Sequence, residues 1–335
     1  MATLIGSIIV FMLVIMLHEL GHFTVAKLVG IKVNEFSIGM GPKLIQKEKG
    51  ETKYSIRALP IGGYVAMEGE EESSDDPRSF ENVSIPKKMA VVLAGAFMNF
   101  VLAIVAFFFV ALLLGSSTTN VGVVIENSPA YIAGVQKDDK ILSVNDKEIK
   151  SWQETIEEIS STQNSEIIKL ELDRNGEKIT KEITPELKDG VPTVGIGTKL
   201  EKSVSKSILS AFQMTWYIVI SIIDVFKLIF SGNFNMQLLS GPVGVISQIG
   251  KETAKGIVYL INILGIISAN LGVVNLLPIP ALDGGKFLFL LIEAITGKKI
   301  NEKFETTISL IGFSFLIGLM LYVTIFGDLA RIISR

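Results

Sequence analysis

The sequence predicts a membrane protein, mainly α: about four transmembrane helices, a β-hairpin on the cytoplasmic side, one extracytoplasmic α+β domain and an interfacial amphipathic helix. Three observations carry this expectation. Hydrophobic residues make up 49% of the 335 positions while charged ones make up only 19%, and the mean hydropathy is +0.49, a balance that favours a membrane protein over a soluble one. The apolar residues are gathered into a few long uncharged runs of about 20 residues, enough for a helix to cross the hydrocarbon core. The basic residues flank particular ends of those runs, which orients them.

The remaining counts exclude function classes. Lys and Arg total 31 against 34 Asp and Glu, a net charge of -3, so no nucleic-acid partner is expected. There is no Cys, which removes disulfides, Cys-ligated metal and a thiol nucleophile. There are two His, so His-dependent chemistry has few places to sit.

In chain order, the first apolar run extends from Leu4 to Leu17 and resumes at Phe23, so it spans if His18 and Glu19 lie inside it. The second covers Met89 to Gly115, the third Gly256 to Ala281 and the fourth Thr306 to Gly327. Ser207 to Phe230 carries Trp216, Tyr217, Asp224 and Lys227 and reads as an amphipathic helix at the interface, with a true span as the other option. Lys32, Lys43, Lys47, Lys49, Lys87 and Lys88 place residues 32–88 in the cytoplasm and the N-terminus outside. Residues 116–200 then form the outer domain, with strands at 121–125, 140–144 and 167–172 and a helix at 152–159. Four sections result: 1–115 with the first two spans, 116–200 outside, 201–255 as interfacial helix and connector, and 256–335 with the last two spans. On the cytoplasmic side, Lys43–Lys47 and Lys53–Ala58 flank a turn-like Glu48-Lys49-Gly50-Glu51 and suggest a hairpin. Gly39 to Pro42 and Pro60 to Val65 are expected to break regular structure on either side. The acidic stretch 68–76 reads as a solvated linker.

Both His residues fall in His18-Glu19-Leu20-Gly21-His22. Positions i and i+4 share a helix face, so both imidazoles can reach one metal. Glu19, on the adjacent flank, can take a proton from water that the metal activates. Two randomly placed His would show this spacing only about one time in 170, and Glu19 between them makes chance rarer still. A buried acid in an apolar span costs about 2.5–3.5 kcal/mol on insertion scales, which a bound cation offsets. A catalytic zinc takes three protein ligands, so a third is sought at membrane depth. Asp283 follows the third apolar run after Pro278 and Pro280 and before Gly284 and Gly285. It is the candidate ligand; the alternative is that it only caps the helix that begins at Gly284.

With these residues the chain resembles the site-2 protease family of intramembrane zinc metalloproteases, in its bacterial branch. The resemblance covers nearly the whole chain and rests on His18 to His22 and on Asn275 to Gly285, which fits N-x-x-P-x-P-x-L-D-G-G. It implies that His18, His22 and Asp283 bind Zn2+, that Glu19 is the general base, and that Asn275, with Asn270 as a second candidate, contacts the substrate backbone or the developing oxyanion. Gly39 to Val65 resembles the family's membrane re-entrant β-hairpin, which implies an edge for an extended substrate. Gly62 and Gly63 within it are candidate substrate-contact positions, where a polar cavity is expected to open. The outer domain resembles a PDZ domain through Ser128-Pro129-Ala130 and Asp139 to Asn145. Asp138 and Asp146 stand where that pattern favours Gly, and ligand binding at Val121–Ile125 is the point they leave open.

The implied activity is hydrolysis of peptide bonds within or beside a membrane segment of another protein. Single-pass membrane proteins are the implied partners, with anti-sigma factors and remnant signal peptides as examples, in the bacterial plasma membrane. His18 lies about 21 Å along the first helix from Leu4, past the midplane toward the cytoplasm. The PDZ domain would contact a peptide or exclude bulky ectodomains. Two other classes compete: a non-proteolytic PDZ-bearing scaffold with an inactive metal site, and a transporter, whose inverted repeat the sequence lacks.

Overall fold

The computed structural model describes residues 2–70, 74–162, 166–188, 190–231 and 239–333. The chain divides into two compact units, residues 1–107 with 211–335, and residues 108–210.

In chain order the elements are α1 (Ala2–Leu28), β1 (Val33–Lys49), β2 (Thr52–Met67), α2 (Ile85–Leu114), β3 (Ser116–Val124), α3 (Pro129–Ile132), β4 (Lys140–Val144), β5 (Lys147–Glu148), α4 (Trp152–Ser161), β6 (Ile168–Arg174), β7 (Glu177–Ile183), β8 (Glu186–Lys188), β9 (Val191–Thr193), β10 (Ile196–Glu201), α5 (Val204–Phe230), α6 (Pro242–Lys255), α7 (Ile257–Asn275), α8 (Asp283–Thr296), α9 (Glu302–Val323) and, after a π-helical turn at Thr324–Leu329, α10 (Ala330–Ile333). Among the described residues, five helices are long and apolar enough to cross a membrane: those at 3–28, 85–114, 204–228, 257–275 and 303–329. The fifth candidate, beyond the expected four, is α5. Its apolar residues cover enough of 25 positions that Asp224 and Lys227, ion-paired at 2.7 Å near its end, do not interrupt it.

In the unit formed by 1–107 and 211–335, α1 is the central post. Gly6 and Gly250 allow α6 to approach it: a Cβ on Gly6 would lie 2.6 Å from Thr253 Oγ1, and one on Gly250 2.5 Å from Thr3 Cγ2. Val10, Val14 and Ile249 are fully buried in one cluster, against which Val245 packs. So α6 packs closely against the first turns of α1. Asp328, 2% exposed, accepts from the Gly241 N–H at 3.1 Å and the Gly244 N–H at 2.8 Å. An acid at a helix N-terminus satisfies otherwise orphaned donors, so the π-helical turn after α9 caps α6.

The hairpin is larger than the sequence suggested. Gly39, Gly41 and Gly62 have φ of 82°, 83° and 86°, and they bend the strands as bulges instead of ending them. Phe36 therefore pairs with Val65 on one side and with Tyr54 on the other, while Tyr54 also pairs with Lys47. The result is a small sheet in the order 63–67, 33–38, 53–56, 45–49. The acidic linker is also not free: Glu68 accepts from Ser74 Oγ at 2.6 Å, Lys32 Nζ at 2.9 Å and Asn34 Nδ2 at 3.0 Å. These hydrogen bonds pull its carboxyl down to about 2. Residues 71–73 of that stretch lie outside the described residues.

In the unit 108–210, five strands lie in the order β10-β3-β4-β6-β7, with β5 paired to β4. Val121, Ile141, Ile168, Leu170 and Leu172 are fully buried at its core. Ser128 and Ser151 cap α3 and α4 by accepting from the N–H of Tyr131 and Glu154. Asp138 and Asp146 have φ of 73° and 65°, the left-handed conformation that Asp tolerates in turns. The expected strand at 121–125 falls largely within β3, which pairs with β10 between Ser116 and Val124 and meets β4 at Asn120.

Candidate metal centre

The three expected ligands converge from two ends of the chain. On α1, one helical turn brings His18 Nε2 and His22 Nε2 to 3.1 Å. Asp283 Oδ2 lies 3.4 Å from the first and 3.5 Å from the second. A tetrahedral ion with bonds of about 2.0–2.1 Å has donor–donor edges of about 3.3 Å, so these spacings fit one zinc-sized ion. Asp283 Oδ2 is buried and has no hydrogen-bond partner, which is costly for a carboxylate unless a cation takes that position.

The backbone before Asp283 explains why it reaches in. After α7 the chain unwinds through Pro278 and Pro280, with Ala281 at φ 80°. It then folds so tightly that a Cβ on Gly284 would lie 2.2 Å from Leu277 O, and one on Gly285 2.4 Å from Ile279 O. Two glycines are therefore required after Asp283, and no other residue type could follow it in this path. Gly312 of α9 packs against the same loop, its virtual Cβ 2.2 Å from Pro280 O.

The imidazoles are fixed from behind. His22 Nδ1 donates to Val91 O at 2.8 Å, which leaves Nε2 free to bind a metal. His18 Nδ1 lies 3.2 Å from the side-chain amide of buried Asn99. With the Asn99 amide turned so that its oxygen faces the ring, an orientation nearly indistinguishable by shape, Oδ1 accepts from the His18 Nδ1–H and leaves Nε2 for a metal. Ser268 of α7 donates to Asn99 O at 2.8 Å and ties the three helices together.

Gly95, one turn before Asn99 on α2, makes room for the site. A Cβ there would stand 2.3 Å from His22 Nε2 and 2.6 Å from His18 Cε1. Gly95→Ala is expected to push both rings from their shared point and lower zinc affinity by at least about 10–100-fold, the range seen when supporting shells are disturbed; zinc titration of the purified variant checks this.

A cavity of about 200 Å³ opens at the ligands. Glu19 lines it with His18, His22 and Asp283, beside the apolar Val65, Met67, Val91 and Val92 and the charged Glu70 and Lys286. Asn275 brings its amide nitrogen to 3.4 Å from His18 Nδ1. Gly63 abuts Glu19, its virtual Cβ 3.4 Å from Glu19 Cγ, and is kept small by Ser37 O at 2.7 Å. Gly62 meets Met40 instead, and Asn270 is half-buried on α7 without lining the cavity. Sequence reasoning missed Gly95, Asn99, Glu70 and Lys286. Gly95 and Asn99 were within reach of it, as a small and a polar residue four apart on one face of an otherwise apolar span.

The family model described as peptidase family M50 matches residues 6–319. The chain belongs to that family. A relative from Clostridium acetobutylicum is 40% identical over 323 residues, covering 95% of each chain. The zinc metalloprotease RasP of Geobacillus kaustophilus is 31% identical over 407 aligned positions, covering 96% of each. The PDZ domain of an SdrC-like protein from Listeria innocua aligns with 26% of this chain and 96% of its own, at 27% identity and a TM-score of 0.23. As an M50 peptidase the chain uses zinc, and the three converging donors supply a set of the right number and chemistry for it.

Proposed function

We propose that this M50 zinc metalloprotease cleaves membrane segments of other proteins at the cavity between α1, α2 and α8, with Glu19 as general base. The observation that carries the assignment is the unpartnered Asp283 Oδ2 within 3.5 Å of both imidazoles, with Glu19 in the same cavity. When bound there, zinc supplies a Lewis acid that polarises a carbonyl and acidifies water. The residues of the chain do the rest. His18, His22 and Asp283 hold the ion. Glu19 takes the proton of the attacking water and returns it to the leaving amine. Asn275 donates to the oxygen on which negative charge develops; such a donor is worth about 100–1,000-fold in kcat. Asn99 and Val91 O hold the imidazoles in the tautomer that keeps Nε2 facing the metal.

Residues 63–67 support a substrate path. They form an outer strand of the small sheet, pairing with 33–38 on one side, and Gly63 runs against Glu19. An unwound substrate strand that adds to their other side would lie alongside the base. A helical peptide bond is shielded by its own turn, so the segment opens before it is cut.

The protein is a multi-pass bacterial membrane protein. Its active site lies toward the cytoplasmic side and residues 116–200 outside, following the basic residues of the hairpin region. The α5 segment is read as a helix lying at the membrane interface, with a true span as the other option, which its length and composition allow. The 116–200 domain is read as a PDZ domain that contacts a peptide or excludes bulky ectodomains. A scaffold with an inactive site finds no support, since the three metal donors and the base stand together.

The test uses purified full-length protein in lipid vesicles with a single-pass substrate. Cleavage is expected with zinc bound, to be lost after a chelator removes the metal, and to return with added zinc. Cleavage that survives complete metal removal would overturn the assignment.

A further inference from the structure

The cavity holds two charged groups that the mechanism leaves unused. Glu70 Oε1 and Lys286 Nζ form an ion pair at 2.8 Å, and both line the cavity beside Glu19 and Asp283. The pair links the exit of β2 to the first turn of α8, 216 residues away in sequence. Both side chains are about a quarter exposed, 23% and 29%, so the pair sits where the cavity meets solvent.

The position of Lys286 is unfavourable for a purely structural cation. It stands in the first turn of α8, where the helix dipole favours anions. One face of the helix carries it three residues after Asp283, so it faces the same space. Its ammonium also lies 4.6 Å from the centre of the Phe80 ring, a second resting contact that remains when Glu70 lets go. Among the residues lining the cavity, three acids, Glu19, Glu70 and Asp283, face one Lys.

Peptide hydrolysis breaks the C–N bond, adds water's oxygen to the carbonyl carbon and leaves a carboxylate on one product and an amine on the other. That carboxylate forms in a space bordered by three acids. We propose that Lys286 is the product-binding cation: the Glu70–Lys286 pair closes the mouth of the cavity at rest, and on opening Lys286 takes the new carboxylate while Glu70 faces the departing amine. This rests on the proteolytic reading above.

The experiment measures binding of a labelled apolar peptide of about a dozen residues, made once with a free C-terminal carboxylate and once with a C-terminal amide, to full-length protein in detergent. It is run zinc-loaded and zinc-free, so that the contribution of the metal is separated from that of Lys286. The wild type is expected to prefer the free acid in both states. Lys286→Gln should lose about tenfold of that preference, as expected for a charge-assisted hydrogen bond. Lys286→Arg should keep it. Glu70→Gln, which removes the competing anion, should raise it several-fold. A structural clamp alone would leave the acid-to-amide ratio where it is in all four proteins. An unchanged ratio in Lys286→Gln overturns the proposal. Should that variant fold poorly, an unchanged ratio in Glu70→Gln does the same. If the ratios move as expected but wild type cuts no membrane substrate, the anion site stands and the proteolytic reading fails. If wild type cuts and the ratios do not move, only the present proposal fails.

Discussion

Glu19→Gln is expected to slow cleavage of a single-pass substrate by about 100–10,000-fold, the range that a positioned general base contributes, while zinc content remains one ion per chain. Both halves follow from geometry. Glu19 borders the cavity but is not among the donors that meet at the metal point. Gln keeps the shape and loses only the ability to take a proton. Its Cγ neighbour Gly63 tolerates the amide as it does the acid, because the two side chains occupy the same volume. Measuring single-turnover cleavage and metal content on the same preparation checks the claim. A variant that holds zinc and cuts at the wild-type rate would remove Glu19 from the mechanism.

Asp283→Asn is expected to lose both zinc and activity. Asn has nearly the same volume as Asp, so the turn before α8 can keep its path. What changes is the charge on a buried atom that has no hydrogen-bond partner other than a metal. Removing a direct ligand should cost more than the about 10–100-fold in affinity typical of outer-shell changes. The two His would remain 3.1 Å apart as an incomplete site. The two substitutions are separable: Glu19→Gln is inactive with its metal, Asp283→Asn inactive without it. Competition with a chelator of known affinity reads the difference. Retention of stoichiometric zinc by Asp283→Asn would show that another residue completes the site.

The part of the site legible in the sequence was the part that local geometry fixes. His18 and His22 are one helical turn apart, so their shared face follows from 3.6 residues per turn and nothing else. Asp283 was legible for a different reason. Two Pro and two Gly at the end of an apolar run announce an unwound segment, and an acid there needs a partner. Of the fold, the long apolar runs were visible as spans because composition alone decides what can lie in hydrocarbon. The hairpin was visible only at its tip, since Gly39, Gly41 and Gly62 read as strand ends and serve as bulges. Whether a Gly ends or bends a strand depends on whether the chain beyond it finds a partner, and here 33–38 finds two.

The sequence by itself determined the chemistry: a His–Glu–His turn inside an apolar helix, an acid that breaks a second one, and no Cys to offer a different site. Tertiary structure decided what surrounds that chemistry. It set Gly95 against the rings, Asn99 behind His18, the 63–67 edge beside Glu19, and the Glu70–Lys286 pair at the cavity mouth. These contacts join residues from 44 to 216 positions apart, such as Gly63 with Glu19 and Lys286 with Glu70. Helix periodicity carries no information over such distances. Only the packing of whole helices, held apart or together by the presence of a single Cβ, brings them into contact.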